Sequence, residues 1–203
     1  MTFLETILEE ILRIFKKEGI EANKREDIIR RLDIRHSTFQ ELFKDKADMV
    51  RKVVLFDMQE QVRLQAKMLA DAQNPVEEIM MLLQDGIKNM QQTNPLYILD
   101  LQQHYQDVWQ LGLDHLNSHS YYLVSEIMNR GVLQGFFRKD VNIELVTRIM
   151  LAQVSMLVNP QVFPPDKYNL SEVFRSIFLY YLRGICTDQG GRLAEAFFTK
   201  HNI

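Results

Sequence analysis

Apolar residues recur at steps of three and four along nearly the whole of this 203-residue chain. The first such face is made by Leu4, Ile7, Leu8, Ile11, Leu12 and Phe15. This spacing is that of one side of an α-helix, whereas a half-buried strand requires a strict alternation that no segment here follows. The sequence therefore predicts an all-α fold of about nine helices or more.

Local signals place the boundaries of these helices. Gly19 ends the first helix, and a second is expected over residues 25–32. Asn74-Pro75 and Asn94-Pro95 each offer a capping side chain followed by proline, so helices should begin near residues 75 and 95. The remaining predicted elements are a long helix from Asp45, one helix over 108–134, helices over 143–158 and 170–186, a loop at 159–165, and a short terminal helix separated from its predecessor by Gly190-Gly191.

Charge is unevenly distributed along the chain. The net charge of −3 argues against a protein that coats nucleic acid or membrane with its whole surface. The segment 24–52, however, has nine lysines and arginines and six acidic residues, a net charge of +3, which leaves −6 for the rest. A basic segment on an acidic body fits a local contact with a polyanion, although a solvated charged face would have the same composition.

Residues 19–49 have the pattern of two short helices joined by a tight turn, followed by the start of a longer helix. Such a helix-turn-helix can place its second helix in the major groove of DNA. The apolar residues Ile28, Ile34, Phe39 and Phe43 are expected to pack the two short helices against the first helix. The N-terminal end of the second short helix would then face outward.

Hydrogen-bonding side chains occupy that outward end, namely Arg35, His36, Ser37, Thr38 and Gln40. Arginine pairs with guanine edges and glutamine with adenine edges in the major groove. Lys44 and Lys46 are expected to contact phosphate, beside the amides that begin the long helix. Lys24 and Arg25 lie where the flanking DNA backbone would pass. These nine residues form the predicted DNA-binding set.

The same segment resembles the DNA-binding core of the tetracycline-repressor (TetR) family. It aligns without a gap, and the matching positions are Gly19, Ala22, Asp27-Ile28, Ile34, Thr38, Phe43-Lys44 and Lys46. Beyond this N-terminal quarter, helix number and length match, together with RGVLQGFFRKDVN and YLRGIC, which look like later helices of the family. The resemblance implies a DNA-binding transcriptional regulator, expected to be a repressor, with a three-helix N-terminal domain and a helical domain for ligand binding and dimerisation.

Several positions depart from the family pattern. The family usually has alanine at Ile29, glycine at Asp33, serine at Arg35, glycine at Ser37, and tyrosine at Gln40 and Leu42. Asp33 is expected to adopt the left-handed turn conformation at some cost. Because arginine cannot cap a helix, Ser37 and Gln40 are predicted to form a capping box, which would start the recognition helix slightly later. The alternative function is a protein-interaction or sensor module that has kept the fold and lost specific DNA binding.

The predicted domains are a DNA-binding domain over residues 1–48, with a linking helix from about residue 45, and an effector-binding and dimerisation domain over 49–203. The family's regulation implies release from DNA by a small effector. Helices within 75–134 are rich in side chains that can line an apolar pocket, although ordinary core is the favoured interpretation of each one taken singly. The residues predicted to bind an apolar or amphipathic effector are Met80, Met90, Tyr97, His104, Tyr105, Trp109, Tyr122 and Met128.

A homodimer is expected, because one short helix reads few bases and a two-fold axis fixes the spacing of two half-sites. The helices over 143–158 and 170–186 are the predicted interface. In the family, the corresponding helices form a four-helix bundle across the dimer. Apolar residues on both helices, such as Leu145, Ile149 and Tyr181, can belong to this interface or to the core of one chain.

Other functions have little support in the sequence. There is no phosphate-binding loop, dinucleotide-binding glycine pattern, nucleophile elbow or Cys/His cluster, so neither an enzyme nor a cofactor is predicted. His115 and His119 lie four residues apart on a predicted helix, with His104 as a distant third candidate. Without a clear third ligand no metal site is predicted, and a metal-dependent helical enzyme is the remote alternative.

The expected compartment follows from cysteine usage and hydropathy. The single cysteine, Cys186, excludes an internal disulfide and is expected to be a buried, reduced thiol, with redox sensing as the alternative. Glu5, Glu9 and Glu10 interrupt the N-terminal segment where a signal peptide is apolar, and no stretch has the length of a membrane span. The sequence predicts a soluble, cytoplasmic protein with no membrane partner.

Overall fold

The computed structural model describes residues 2–201. Over that range it contains α-helices, one π-helical turn and a single isolated β-bridge, without a β-strand, which confirms the predicted all-α fold. The helices are α1 (Phe3–Glu18), α2 (Arg25–Leu32), α3 (His36–Leu42), α4 (Lys46–Leu69), α5 (Pro75–Gln92), α6 (Pro95–His104), α7 (Gln106–His115), α8 (Tyr121–Leu133), α9 (Ile143–Leu157), α10 (Leu170–Ile185) and α11 (Asp188–His201). The π-helical turn, Leu116–Ser120, joins α7 to α8.

Side-chain caps explain where several of these helices begin. Asn74 Oδ1 accepts a hydrogen bond from the N–H of Glu77 at 3.0 Å, and Asn94 Oδ1 accepts one from the N–H of Leu96 at 3.0 Å. These bonds satisfy amides that have no partner inside the helix. The predicted starts of α5 and α6 are confirmed. Gly19, with φ 88°, ends α1 as predicted.

The stretch 108–134, predicted as one long helix, is helical from Gln106 to Leu133, with the π-helical turn between α7 and α8. The turn keeps the chain helical, so the apolar pattern does not indicate it. One predicted boundary is wrong. Gly190 and Gly191 do not separate helices, because both lie inside α11. A Cβ at position 190 would be 2.1 Å from the carbonyl oxygen of Phe136, so this glycine permits close backbone packing.

The chain forms two compact units. The N-terminal unit comprises the described residues through Leu64 together with Gln92–Leu113. Its core includes the fully buried Ile11 and Phe15 of α1, residues of α2 to α4, and Tyr97 and Leu101 of α6. The apolar sides of α4 and α6 complete the core around α1, so this compact unit extends beyond residue 48. The division into a DNA-binding domain and an effector-binding domain at that residue stays a prediction.

The C-terminal unit comprises Gln65–Gln91 and the described residues from Asp114 onward. Its core is formed by apolar side chains of α5, α8, α9, α10 and α11. Arg130 of α8 donates from both terminal nitrogens to the Glu78 carboxylate of α5, and the Nη1–Oε1 distance is 2.7 Å. Among the described residues, none of the helices is both long enough and apolar enough to cross a membrane.

Cys186 is a free thiol that is half-buried next to the end of α10. It pairs with Phe137 in the isolated antiparallel bridge. Burial raises the pKa of the thiol to about 11, because the thiolate would lose hydration. The thiol is therefore protonated at neutral pH, and the predicted reduced cysteine is less completely buried than expected.

Candidate functional site

A tight turn joins α2 to α3 in the N-terminal unit. Asp33 follows α2 in the left-handed conformation, with φ 51° and ψ 44°, as predicted from the sequence. Its backbone N–H donates to the carbonyl of Arg30, and the next N–H, that of Ile34, donates to the carbonyl of Ile29 at 3.3 Å. These bonds end α2 and direct the chain into α3 two residues later.

Phe39 and Phe43 fix the inner side of α3. Both rings are essentially inaccessible to solvent, and their centroids are 5.0 Å apart. They belong to the same core cluster as Ile28 of α2 and Phe15 of α1. Burial of these two aromatic rings orients the short helix, so its opposite side is turned away from the core.

The outer side of α3 contains the residues that were predicted to read bases. Arg35, His36, Ser37 and Gln40 are exposed, and Thr38 is half-buried. Arg35 stands at the N-cap position, and no side chain caps the helix. Five hydrogen-bonding side chains therefore lie along the start of α3, most of them with their polar groups accessible.

The predicted capping box of Ser37 and Gln40 is wrong. α3 begins at His36, and its first backbone bond joins the N–H of Phe39 to the carbonyl of Arg35 at 3.0 Å. Ser37 thus lies within the first turn and cannot precede it. Burial of Phe39 together with the tight turn at Asp33 sets this start, which overrides the weak capping ability of Arg35.

The predicted phosphate-contacting residues differ in their surroundings. Lys24 and Lys44 are exposed, whereas Arg25 and Lys46 are half-buried. The Arg25 guanidinium lies 5.1 Å from the centre of the Phe39 ring, so part of its role is packing. Lys46 opens α4, and its Nζ lies 2.9 Å from Glu21 Oε1. The sequence pattern gave no sign of this partner.

Asp45 and Asp48 organise the start of α4. The N–H of Asp48 donates to Asp45 Oδ1 at 2.8 Å, and the N–H of Lys44 donates to Asp48 Oδ2 at 3.0 Å. Lys52 also donates to the Asp48 carboxylate at 2.8 Å. These donors lower the pKa of Asp48, the contribution of Lys52 being the largest. The backbone at Lys44 is therefore fixed while its ammonium group stays exposed.

The C-terminal unit contains an apolar cavity of about 160 Å³. Its wall is made by side chains of α5, α8, α9 and α10, including Leu83, Val124, Val154 and Phe174. Gln65 and Ser120 of the π-helical turn contribute the polar groups of the wall, and the other lining residues are apolar. This volume is comparable to the roughly 150 Å³ cavity that holds a benzene-sized ligand in an engineered protein.

The residues predicted to bind an effector do not line this cavity. In the core of the C-terminal unit, Met80 and Met128 are fully buried and Met90 is half-buried. Tyr122 belongs to the same unit, but it is 72% exposed. The other four belong to the N-terminal unit: Tyr97 and Tyr105 are buried, Trp109 is half-buried and His104 is exposed. The eight side chains are therefore divided between the two units.

A second cavity of about 550 Å³ lies in the C-terminal unit. The residues around it include Lys88 of α5, Arg175 of α10 and His201 of α11, together with the acidic Asp85 and the apolar Met68. Its wall is thus mixed in polarity, unlike that of the apolar cavity.

His115 and His119 stack with their ring centroids 5.1 Å apart. Burial and the neighbouring imidazole lower the pKa of His115. His104 belongs to the other unit, and residues 2–201 contain no group of three or more His, Cys, Asp or Glu side chains placed to hold a metal ion.

One side of α9 exposes an apolar row. Leu145, Ile149 and Met156 are 55%, 46% and 39% exposed, and their spacing of four and seven residues places them on one face. On α10, Tyr180 is 69% exposed. Large apolar side chains exposed in a row are typical of a protein interface.

A helix-turn-helix followed by an all-helical C-terminal unit is an architecture of transcriptional regulators. The family model described as YsiA-like protein, C-terminal region (TetR_C_4) matches residues 55–184, which is well over half of the chain. The chain belongs to the TetR family of transcriptional regulators. A comparison with curated proteins gave no match.

Solved structures share the fold at low sequence identity. A TetR transcription regulator from Haloarcula marismortui matches with a TM-score of 0.74 and 17% identity, over 91% of this chain and 98% of that chain. The ketosteroid transcriptional regulator KstR2 of Mycobacterium tuberculosis matches with 0.61 and 18%, over 92% and 96%. The fatty acid degradation regulator FadR from Bacillus halodurans matches with 0.67 and 16%, over 91% and 97%.

Proposed function

We propose that this protein is a homodimeric repressor that binds a pseudo-palindromic operator and is released from it by a small apolar or amphipathic effector. The observation that supports DNA binding most directly is the exposed polar side of α3, opposite the buried Phe39. Since the operator is its proposed partner, the protein would act in the cytoplasm.

Base readout would come from Arg35 and Gln40. Both side chains are exposed and stand at the first turns of α3, the end of a recognition helix that approaches base edges. An arginine matches the O6 and N7 acceptors of guanine, and a glutamine matches N6 and N7 of adenine. His36, Ser37 and Thr38 would add contacts to bases or to the adjacent phosphates.

Phosphate contacts would come from Lys24, Arg25, Lys44 and Lys46. These cations flank α3 on the chain, and Lys44 has an exposed ammonium group next to the first amides of α4. Each neutralised phosphate releases counterions, so affinity should fall steeply as salt rises.

The homodimer would form through α9 and α10. The exposed row of Leu145, Ile149 and Met156 offers the apolar surface that such an interface buries. Ile149→Glu should shift the protein from dimer to monomer in sedimentation velocity and weaken operator binding. Leu133→Glu is the matched control, because Leu133 is 87% exposed on α8, outside the proposed interface. Equal dimerisation of all three proteins would contradict this interface.

The apolar cavity is the proposed effector site. KstR2 and FadR are named for ketosteroids and for fatty acid degradation, and both classes of molecule have apolar carbon skeletons. The cavity in this chain has a corresponding apolar wall, with Ser120 and Gln65 as its polar groups. α4 and α7 each run from one unit into the other, so either helix can transmit a change at the cavity to the helix-turn-helix.

The experiment that tests DNA binding is selection of bound duplexes from a random pool, followed by affinity measurements on the selected site. Arg35→Ala or Gln40→Ala should relax discrimination at one base pair by about 1–3 kcal/mol. Lys44→Ala should weaken binding to all duplexes and reduce the salt slope by about one. Lys67→Ala, on the exposed side of α4 in the other unit, is the control.

A protein-interaction module without an operator is the second candidate. Its supporting observation is that Arg35, Ser37 and Gln40 depart from the family's usual residues on the DNA-facing helix. It predicts a stable dimer that selects no duplex from the pool. Absence of sequence-selective binding under every ligand condition would therefore reject the repressor and retain this alternative.

A further inference from the structure

The ammonium group of Lys46, one of the proposed phosphate contacts, is already paired inside the N-terminal unit. Its Nζ lies 2.9 Å from Glu21 Oε1, and the same oxygen accepts a hydrogen bond from the Tyr105 hydroxyl at 2.7 Å. The side chains of Lys46 and Glu21 are 29% and 43% exposed, so the pair lies at the surface, where a nucleic acid backbone can reach it.

Glu21 is held in place at both its backbone and its side chain. Its N–H donates to Asp100 Oδ2 at 2.9 Å, and Asp100 belongs to α6. Tyr105 directly follows α6, and the buried part of its side chain packs in the core cluster that also contains Leu101. Asp100 of α6 and Tyr105, the residue that follows α6, therefore fix the position of the Glu21 carboxylate.

The charges in this cluster oppose a phosphate contact. Hydrogen bonds from Lys46 and Tyr105 lower the pKa of Glu21, so its carboxylate is ionised at neutral pH. A phosphate that approaches the Lys46 ammonium group is therefore repelled by the Glu21 carboxylate already bound to it. Lys44 provides the contrast, because it forms no ion pair within residues 2–201.

We propose that Glu21, positioned by Tyr105, competes with DNA phosphate for Lys46. This competition would set the affinity of the protein for the operator backbone. This role rests on the proposed DNA-binding function. Because Asp100 and Tyr105 set the place of Glu21, a displacement of α6 relative to α1 would change how far Lys46 is available to phosphate. Glu21 and Tyr105 are thus positioning residues for a DNA contact and do not themselves bind DNA.

The test measures affinity for the selected operator and for a random duplex by fluorescence anisotropy at several salt concentrations. Glu21→Gln should raise affinity for both duplexes by about two- to five-fold at low salt, the range expected for a half-exposed ion pair. The slope of log affinity against log salt should become steeper by up to about one, because one more cation contacts phosphate. A purely structural role of Glu21 would leave this slope unchanged or make it shallower.

Double variants separate competition from a general charge effect. In the Lys46→Ala background, Glu21→Gln should have no effect on affinity, and Tyr105→Phe should likewise change affinity only when Glu21 and Lys46 are both present. Glu26→Gln removes an exposed negative charge from α2, and its effect should persist in the Lys46→Ala background. An effect of Glu21→Gln that also persists there would overturn the proposal.

A further variant covers loss of folding. If Glu21→Gln unfolds at a lower temperature than the unmodified protein, as followed by circular dichroism, Glu21→Asp is measured in its place. The shorter side chain keeps the charge and withdraws the carboxylate from Lys46, so it should raise affinity as well. Unchanged or weaker binding by a folded Glu21 variant would overturn the competition while leaving the DNA-binding function intact. Failure of the unmodified protein to bind either duplex would overturn both.

Discussion

Asp100 accepts a hydrogen bond from the backbone N–H of Ile20 at 2.7 Å, through the oxygen that also accepts from Glu21. Ile20 is fully buried, so its N–H has little access to water as an alternative partner. This carboxylate therefore fixes the segment between α1 and α2, which leads directly into the helix-turn-helix.

Asp100→Ala should lower the free energy of unfolding by about 2–4 kcal/mol, because two amides lose a charged acceptor. Urea denaturation followed by circular dichroism measures the loss. Asp107→Ala is the control, since Asp107 is 71% exposed and forms a surface ion pair with Arg51. That variant should cost about 0.5 kcal/mol or less. Equal losses would show that Asp100 contributes no more than a surface carboxylate.

The fold was largely predictable because its signals are local. The apolar period, the Asn-Pro pairs before α5 and α6, and the position of Asp33 each depend on a few neighbouring residues. The errors came from long-range packing. Gly190 resembles a helix boundary in the sequence, and only the approach of Phe136 explains a glycine inside α11.

The candidate site was predictable only in part for the same reason. The outward residues of α3 follow from the burial of Phe39, which the helical period indicates. The contacts of Glu21 with Lys46 and with Tyr105 join distant segments, so no spacing in the sequence indicates them. Composition likewise could not separate Tyr97, which fills the N-terminal core, from a residue that lines a cavity.

The two neighbouring glycines of α11 should respond oppositely to alanine. At Gly190 a Cβ would overlap the Phe136 carbonyl, so Gly190→Ala should destabilise the protein by roughly 2 kcal/mol or more. At Gly191 a Cβ meets nothing within 4 Å, and Gly191→Ala should stabilise by about 0.5–1 kcal/mol through helix propensity. Thermal denaturation of both variants measures the difference. Similar shifts would mean that α11 does not pack on Phe136.

The Glu78–Arg130 ion pair should contribute far more to stability than the neighbouring pair with Glu126. Glu78 is buried with a side-chain exposure of 10%, whereas Glu126 is 74% exposed and lies 3.9 Å from Arg130. Glu78→Ala should cost about 1.5–3 kcal/mol, because two charge-assisted hydrogen bonds from Arg130 are lost while its guanidinium stays partly solvated. Glu126→Ala should cost less than about 0.5 kcal/mol. The midpoints of urea denaturation compare the two variants. Equal shifts would mean that Glu78 stabilises the protein no more than Glu126 does.

Cys186 should react slowly with thiol reagents in the folded protein. Burial raises the pKa of its thiol to about 11, so the reactive thiolate is scarce at pH 7 and increases as the pH rises towards that value. Iodoacetamide labelling followed by mass spectrometry should therefore be slower than labelling of free glutathione at pH 7. It should accelerate progressively up to about pH 10. Rapid labelling at neutral pH would instead favour the redox-sensing role.

The apolar cavity should bind a small apolar probe. Benzene matches a cavity of about 160 Å³, so adding it should raise the unfolding temperature of the unmodified protein. Val154→Phe places a larger side chain in the wall and should abolish this rise. Val162→Phe makes the same substitution at an exposed loop position outside the cavity wall and should preserve it. A rise that survives Val154→Phe would mean that the probe binds elsewhere, and the effector site would then have to be sought outside this cavity.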